Sequence, residues 1–344
     1  MGVVVASLAA VFCLTTSSGQ VAASGPADRV AVPPQAPPSD SDTATARRWI
    51  DRLGRIVPTR FVARASERFL LVSDLHEADA ADALQRLERT ANAIEGFARE
   101  LDLPERTQKE DARLVGIAFR ERRAFERFAS EEDRVDASWM VGYWVPGADR
   151  IVFRREGNAV AATRALHMER TGEGAVLAST SEPIAVTVAH EAAHQLLHRL
   201  GVQRRGLRSP LAVAEGLAIA FERCAIDGGE PFAIQPEREE RVADAIAAGT
   251  LPALSALVAT PRLLSTDPGA IERFYDASYS LIRHLRTSRF DDFAEYLRLL
   301  RDEAATLSGR RNKELFEGCF GPIEKVEQAW HRSVRQSGKR TRPT

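Results

Sequence analysis

The segment HEAAH, His190 to His194, constrains this chain more than any other part of it. Histidines four apart on an α-helix stand about 40° apart around the axis and about 6 Å along it, so both imidazoles can turn towards one metal ion. Glu191 sits on the flank between them, where its carboxylate could take a proton from a water polarised by that ion. The surrounding residues favour a helix: Ser181 as cap, Pro183 in the first turn, small Ala192 and Ala193 between the histidines, and Gly201 as a stop after Leu200. With this chain's residue counts, an H-acid-x-x-H match has an expectation of only about 0.02 by composition. The alternative is a helix whose histidines make hydrogen bonds and nothing more.

A catalytic zinc takes three protein ligands and keeps one position open for water. His198 continues the spacing but lies about 12 Å along the axis from His190, too far to share its ion. Glu215, in AVAEGLAIAFE, is the better third ligand. It falls on the next predicted helix, opened by Ser209 and Pro210, and its small neighbours Ala214, Gly216 and Ala218 allow two helices to approach closely. A carboxylate on an apolar helix face needs a partner, and a metal ion supplies one. An exposed Glu on an amphipathic helix is the competing reading.

The pattern around these residues predicts an α+β chain. Residues 67–74 and 112–119 read as strands, 80–101 as a long helix with Leu84, Leu87, Ala91, Ile94, Phe97 and Leu101 on one face, and 138–155 as a hairpin turning at Pro146 and Gly147. A helical stretch, ERRAFERFA, separates the second strand from the hairpin, and residues 156–180 read as a loop. From 181 onward the pattern is helical, with further helices at 237–248, 269–287, 290–304 and 322–336. The expected organisation is an α/β subdomain over 46–160 and a helical, ion-binding subdomain over 161–336.

At the ends, the uncharged run at 3–14 is too short to span a bilayer and fits the apolar part of a signal peptide, with small residues at Ala22 and Ala23 for cleavage. No Lys or Arg precedes it, a departure from the usual signal pattern. The expectation is a leader over 1–24 and an exported chain, periplasmic or secreted, membrane-tethered only if the leader is retained. Residues 25–45, rich in proline, read as a disordered linker, and 337–344 as a basic, frayed tail. A formal net charge of -1 gives no bulk attraction for nucleic acid, so none is expected as a partner. Cys224 and Cys319 lack metal-ligand spacing and stand equally as a disulfide or as two thiols.

Taken together, HEAAH, Glu215 within AEGLA, GTLPALSAL at 249–257 and the later FYDASYSLIRHL resemble the gluzincin zinc metallopeptidases, the thermolysin and aminopeptidase N group. More narrowly, they are similar to the peptidase-MA-like domains of exported bacterial proteins, over roughly residues 138–287. The resemblance implies a zincin-like fold, a small mixed sheet with an active-site helix followed by a mainly helical half. It implies one zinc per chain held by His190, His194 and Glu215, with Glu191 as general base. It also places a peptide or protein substrate along an edge strand near Trp139–Tyr143. Tyr275 matches the tyrosine that precedes S-x-L in such domains and is the candidate oxyanion stabiliser or proton donor. Such domains often carry Trp where this chain has Tyr279, and Tyr275 and Tyr279 also read as two core aromatics one turn apart. Arg283 and His284 are weaker candidates for the same role.

The expected function is hydrolysis of peptide bonds at zinc. Two alternatives use the same ligands: a zinc-bearing binding or assembly module at the cell surface that cleaves nothing, and a hydrolase of a non-peptide amide such as a cell-wall bond.

Overall fold

The computed structural model describes residues 39–103, 112–138, 140–155, 182–202, 209–227, 229–261, 265, 267–303 and 306–341. The chain is mixed α/β, with a five-stranded sheet first and a mostly helical second half. It divides into two compact units. The first draws its described residues from 39–89, 112–138, 140–155 and 182–188, the second from 90–103 and from 189 onward.

In the first unit, strands β1 (Val62–Ala65), β2 (Phe69–Ser73), β3 (Leu114–Phe119), β4 (Gly142–Val145) and β5 (Arg150–Arg154) lie in the order β1-β2-β3-β5-β4. The three central strands are parallel, with Phe69 opposite Leu114 and Val115 opposite Arg150. The two outer strands join antiparallel. Parallel neighbours need a crossover, which the helix α2 (Glu77–Glu100) supplies between β2 and β3. Every residue of β2 and β5 is buried, as expected of strands covered on both faces. The predicted hairpin is β4–β5, and β4 forms an edge of the sheet among the described residues. Trp139 lies outside them, while Val141 and Tyr143 are buried. The Tyr143 hydroxyl donates to Asp133 at 2.8 Å, and Asp133 also pairs with the buried Arg150, whose guanidinium lies 4.6 Å from the centre of the Trp49 ring.

Helix α1 (Asp40–Ile56) starts six residues earlier than the boundary expected at Ala46, which corrects the end of the linker. The cause is local. The Ser39 side chain accepts from the Asp42 amide while Asp42 accepts from the Ser39 amide, a reciprocal cap, and Asp42 is buried against Arg113. The remainder of the linker, the leader and Ser181 lie outside the described residues. Helix α3 (Arg122–Phe128) continues into a π-turn over Ala129–Asp133.

The second unit contains most of α4 (Glu182–Arg199), then α5 (Leu211–Asp227), α6 (Pro236–Ala248), α7 (Leu254–Ala259), α8 (Pro268–Ser288), α9 (Phe290–Asp302), α10 (Gly309–Phe320) and α11 (Ile323–Thr341). Helix α11 runs through Thr341, so residues 337–341 of the expected tail are helical. Gly201 stops α4 with φ at 78°, its amide donating to the His198 carbonyl at 3.0 Å. Helix α8 is capped by Asp267, which accepts from the Ala270 amide at 3.0 Å. The last part of α2 belongs to this unit and not to the sheet, because Phe97 packs on Phe221 of α5 and on Phe232, with ring centres 5.5 and 5.3 Å apart. None of the described helices is long and apolar enough to cross a membrane.

Helices α5 and α8 cross at Gly216. A Cβ there would stand 2.5 Å from the Ser278 carbonyl oxygen and 2.6 Å from Ile282 Cγ1, so only glycine fits without moving a backbone. Gly216→Ala is expected to cost about 1–3 kcal/mol, the usual range for overpacking, read by denaturant unfolding. Stability unchanged within error would contradict so tight a crossing.

Candidate metal centre

Helix α4 is buried from Thr187 to His198, and so needs polar partners for every polar side chain it carries inward. His190 and His194 are one turn apart, and Glu215 of α5 stands beside them, all three almost completely buried. His190 Nε2 lies 3.2 Å from Glu215 Oε2 and 3.2 Å from His194 Nε2, and the third side of the triangle, His194 Nε2 to Glu215 Oε2, measures 3.5 Å. Two donors bound to one zinc in tetrahedral geometry, with bonds of about 2.0–2.1 Å, stand about 3.3 Å apart. A proton bridges two atoms and has no use for a third at equal distance. The donor set therefore fits a tetrahedral cation, and His190, His194 and Glu215 form a buried cluster that could hold a metal ion.

Glu191 and Glu215 are buried; Glu222, also buried, pairs with Arg238, and the buried Asp276 pairs with Arg238 and Arg241. Tyr275 of α8 brings its ring centre to 6.5 Å from that of His190. Of the residues singled out from the sequence, both histidines and Glu215 meet in one cluster, the Tyr275 ring lies near that of His190, and Glu191 is on the same helix between the two histidines.

Glu222 was not anticipated. Its Oε1 lies 2.9 Å from His190 Nδ1, so it orients the ring, and with a metal ion on Nε2 it would accept the Nδ1 hydrogen. The signal was present in the sequence, since Glu222 follows Glu215 by seven residues, two helical turns, with only apolar residues between them. Beyond Glu222 stands Arg238 of α6, which donates to Glu222 Oε2 at 3.3 Å, to Asp276 Oδ1 at 2.7 Å and to Gln235 Oε1 at 2.7 Å. Arg241 holds Asp276 from the other side, at 2.6 and 2.9 Å.

The other candidates separate cleanly. Tyr279, one turn after Tyr275, is fully buried and donates its hydroxyl to the Ala233 carbonyl, so it holds the segment before α6. Arg283 lies 3.6 Å from Glu239, and His284 follows it, both more than two turns along α8 from Tyr275. Burial, aided by Arg283 and Arg289, pushes the His284 imidazole down to about 4. His198 is buried one turn past His194 and outside the three-ligand cluster. His76 directly precedes α2, and its carbonyl accepts from the Ala80 amide. His167 lies outside the described residues. Cys224 and Cys319 are separate free thiols.

Burial alone would lower the His190 pKa, but hydrogen bonds and charge from Glu215 and Glu222 outweigh it and hold the imidazole up to about 10. Glu215 is held well below the usual carboxylate range, its burial outweighed by His194 and His190. A metal ligand must be neutral imidazole, so uptake of a divalent ion near pH 7 is expected to release about one proton, and acidification to weaken binding. Titration calorimetry in two buffers of different ionisation enthalpy measures this. Identical heats in both would contradict the protonated cluster.

Residues 184–305 match the sequence model of a family described as "Protein of unknown function (DUF1570)". The matched range includes His190, His194 and Glu215 as well as Glu222, Arg238 and Asp276. No curated protein matches the chain.

Proposed function

We propose that this chain is a zinc-dependent metallopeptidase of gluzincin type with a zincin-like fold. The observation that carries the reading is the nearly equilateral triangle of His190 Nε2, His194 Nε2 and Glu215 Oε2, with Glu191 between the two histidines on α4. The chain order supports it as well: a mixed sheet, the HExxH helix, then the helix that brings the third ligand.

Zinc held by these three side chains would supply a Lewis acid, able to polarise a peptide carbonyl and to acidify a water. In this reading the remaining work falls to the protein. Glu191 accepts the proton of the attacking water and later hands it to the leaving amine nitrogen, which needs a carboxylate that stays ionised beside a cation. Tyr275 donates its phenolic hydrogen to the carbonyl oxygen as negative charge builds there. Glu222 keeps the His190 ring in one orientation throughout, and burial keeps bulk water from screening these contacts.

The test is cleavage of a quenched-fluorescence peptide library by purified protein, before and after chelation and again after zinc is restored. Cleavage lost and regained is the expected result. Peptide cleavage that survives complete removal of zinc would overturn the reading. Zinc binding with no turnover of peptides would favour a silent binding module, and turnover confined to cell-wall amides a different amide hydrolase.

A further inference from the structure

Metal ligands and Tyr275 come from three helices, α4, α5 and α8, and something must keep these in register to a fraction of an ångström. Arg238, on a fourth helix, touches none of the ligands. Its fork reaches the carboxylate that orients His190, through Nη2 to Glu222 Oε2 at 3.3 Å. It also reaches the residue next to Tyr275, through Nη1 to Asp276 Oδ1 at 2.7 Å. Its Nε is fixed by Gln235 at 2.7 Å, so the plane of the guanidinium is set from the start of its own helix. Glu222 and Asp276 are both buried and 54 residues apart in sequence.

We propose that Arg238 is a positioning residue of the metal centre: a single guanidinium that ties the Glu222–His190 pair on α5 and α4 to the Asp276–Tyr275 turn of α8. The inference rests on the metal-centre reading above. A planar fork with separate N–H groups can serve three acceptors in three directions, whereas an ammonium of the same charge on a flexible stem cannot hold that geometry. Charge is therefore not what the site requires of residue 238. Asp276 keeps Arg241 when Arg238 is changed, so the helix pair α6–α8 retains an ion pair and the loss falls on Glu222, which is left with His190. An imidazole that loses its oriented acceptor is free to rotate, and loss of such outer partners typically costs about 10–100-fold in metal affinity.

The experiment is a double-mutant cycle read by zinc affinity, measured by competition against a chromophoric chelator on the full chain, with the visible absorption of the cobalt(II)-loaded protein as a second readout. Arg238→Lys should weaken zinc about 10–100-fold and change the cobalt bands. Asp276→Asn, although its side chain reaches a ligand only through three successive contacts, should also weaken zinc. The double variant should lose little more than Arg238→Lys alone, because both changes break one bridge. Arg241→Lys, which touches Asp276 and Glu272 but not Glu222, should bind zinc within about threefold of wild type. Wild-type zinc affinity and an unchanged cobalt spectrum in Arg238→Lys, or additive losses in the cycle, would overturn the inference and leave the metal centre standing. Should Arg238→Lys fail to fold, Asp276→Asn decides by itself: unchanged zinc affinity there breaks the bridge. A wild-type chain that binds no divalent ion would sink the reading beneath both.

Discussion

Glu191→Gln should lower kcat/KM for peptide cleavage by roughly 10²–10⁴-fold while the chain keeps one zinc. The substitution removes a base and almost nothing else. Glutamine fills the same volume at a position with no exposed surface, can hydrogen-bond where glutamate did, and leaves His190, His194 and Glu215 in place. What it cannot do is take a proton. The expected signature is thus a split between two measurements: metal content unchanged, turnover lost, with the loss in kcat rather than KM because proton transfer occurs on the way to the transition state. Full activity in Glu191→Gln would mean that the base is another group. Lost zinc would mean that Glu191 supports the site structurally.

Glu215→Gln should do the reverse, emptying the site. The carboxylate is the one anionic corner of the triangle, 3.2 Å from His190 Nε2 and 3.5 Å from His194 Nε2, and it is buried where a neutral amide oxygen is a much poorer partner for a dication. The loss in zinc affinity should exceed the roughly 10–100-fold expected of an outer partner such as Arg238. Stability should respond in the same direction, since a ligand that binds only the folded state stabilises it by about 4 kcal/mol when present at a thousand times its Kd. Addition of zinc should therefore raise the melting temperature of wild type and leave that of Glu215→Gln almost unmoved. Equal zinc affinity in the two proteins would place the third ligand elsewhere.

How much of this could be read from the sequence follows the range of each interaction. His190, Glu191 and His194 lie within one and a half turns of helix, so the 3.6-residue period alone put them on one side. Glu215 required only that the next helix pack against the first, which its small neighbours permit; Gly216 turns out to serve a crossing with α8. Glu222 was within reach of the same argument, two turns further along. Arg238 and Asp276 were not, because 38 residues separate them and neither stands out among 43 arginines and many acids. Tyr275 and Tyr279 could not be told apart by spacing, since only the Ala233 carbonyl, more than 40 residues away in sequence, makes one of them structural.

Misjudged elements have equally local causes. Prolines up to Pro38 obscured the Ser39 cap that starts α1. Strand β1 has four residues, Val-Ala-Arg-Ala, with no alternation to see, and α10 carries five charged residues among its twelve, so its apolar face is only Leu315, Phe316 and Phe320. The long helix at 80–101 was visible as a unit, but its sharing between two units rests on Phe97 meeting Phe221 and Phe232, a contact no local pattern contains.

The central claim is that three side chains on two helices hold one metal ion. Elemental analysis of the purified, full-length chain tests it most directly, with Glu215→Gln prepared alongside. One zinc per wild-type chain, removed by chelation and recovered on dialysis against zinc, and little or none in the variant, is the result expected. A wild-type chain that takes up no zinc or other divalent ion would show that the triangle is only a hydrogen-bonded core, and the account would fail.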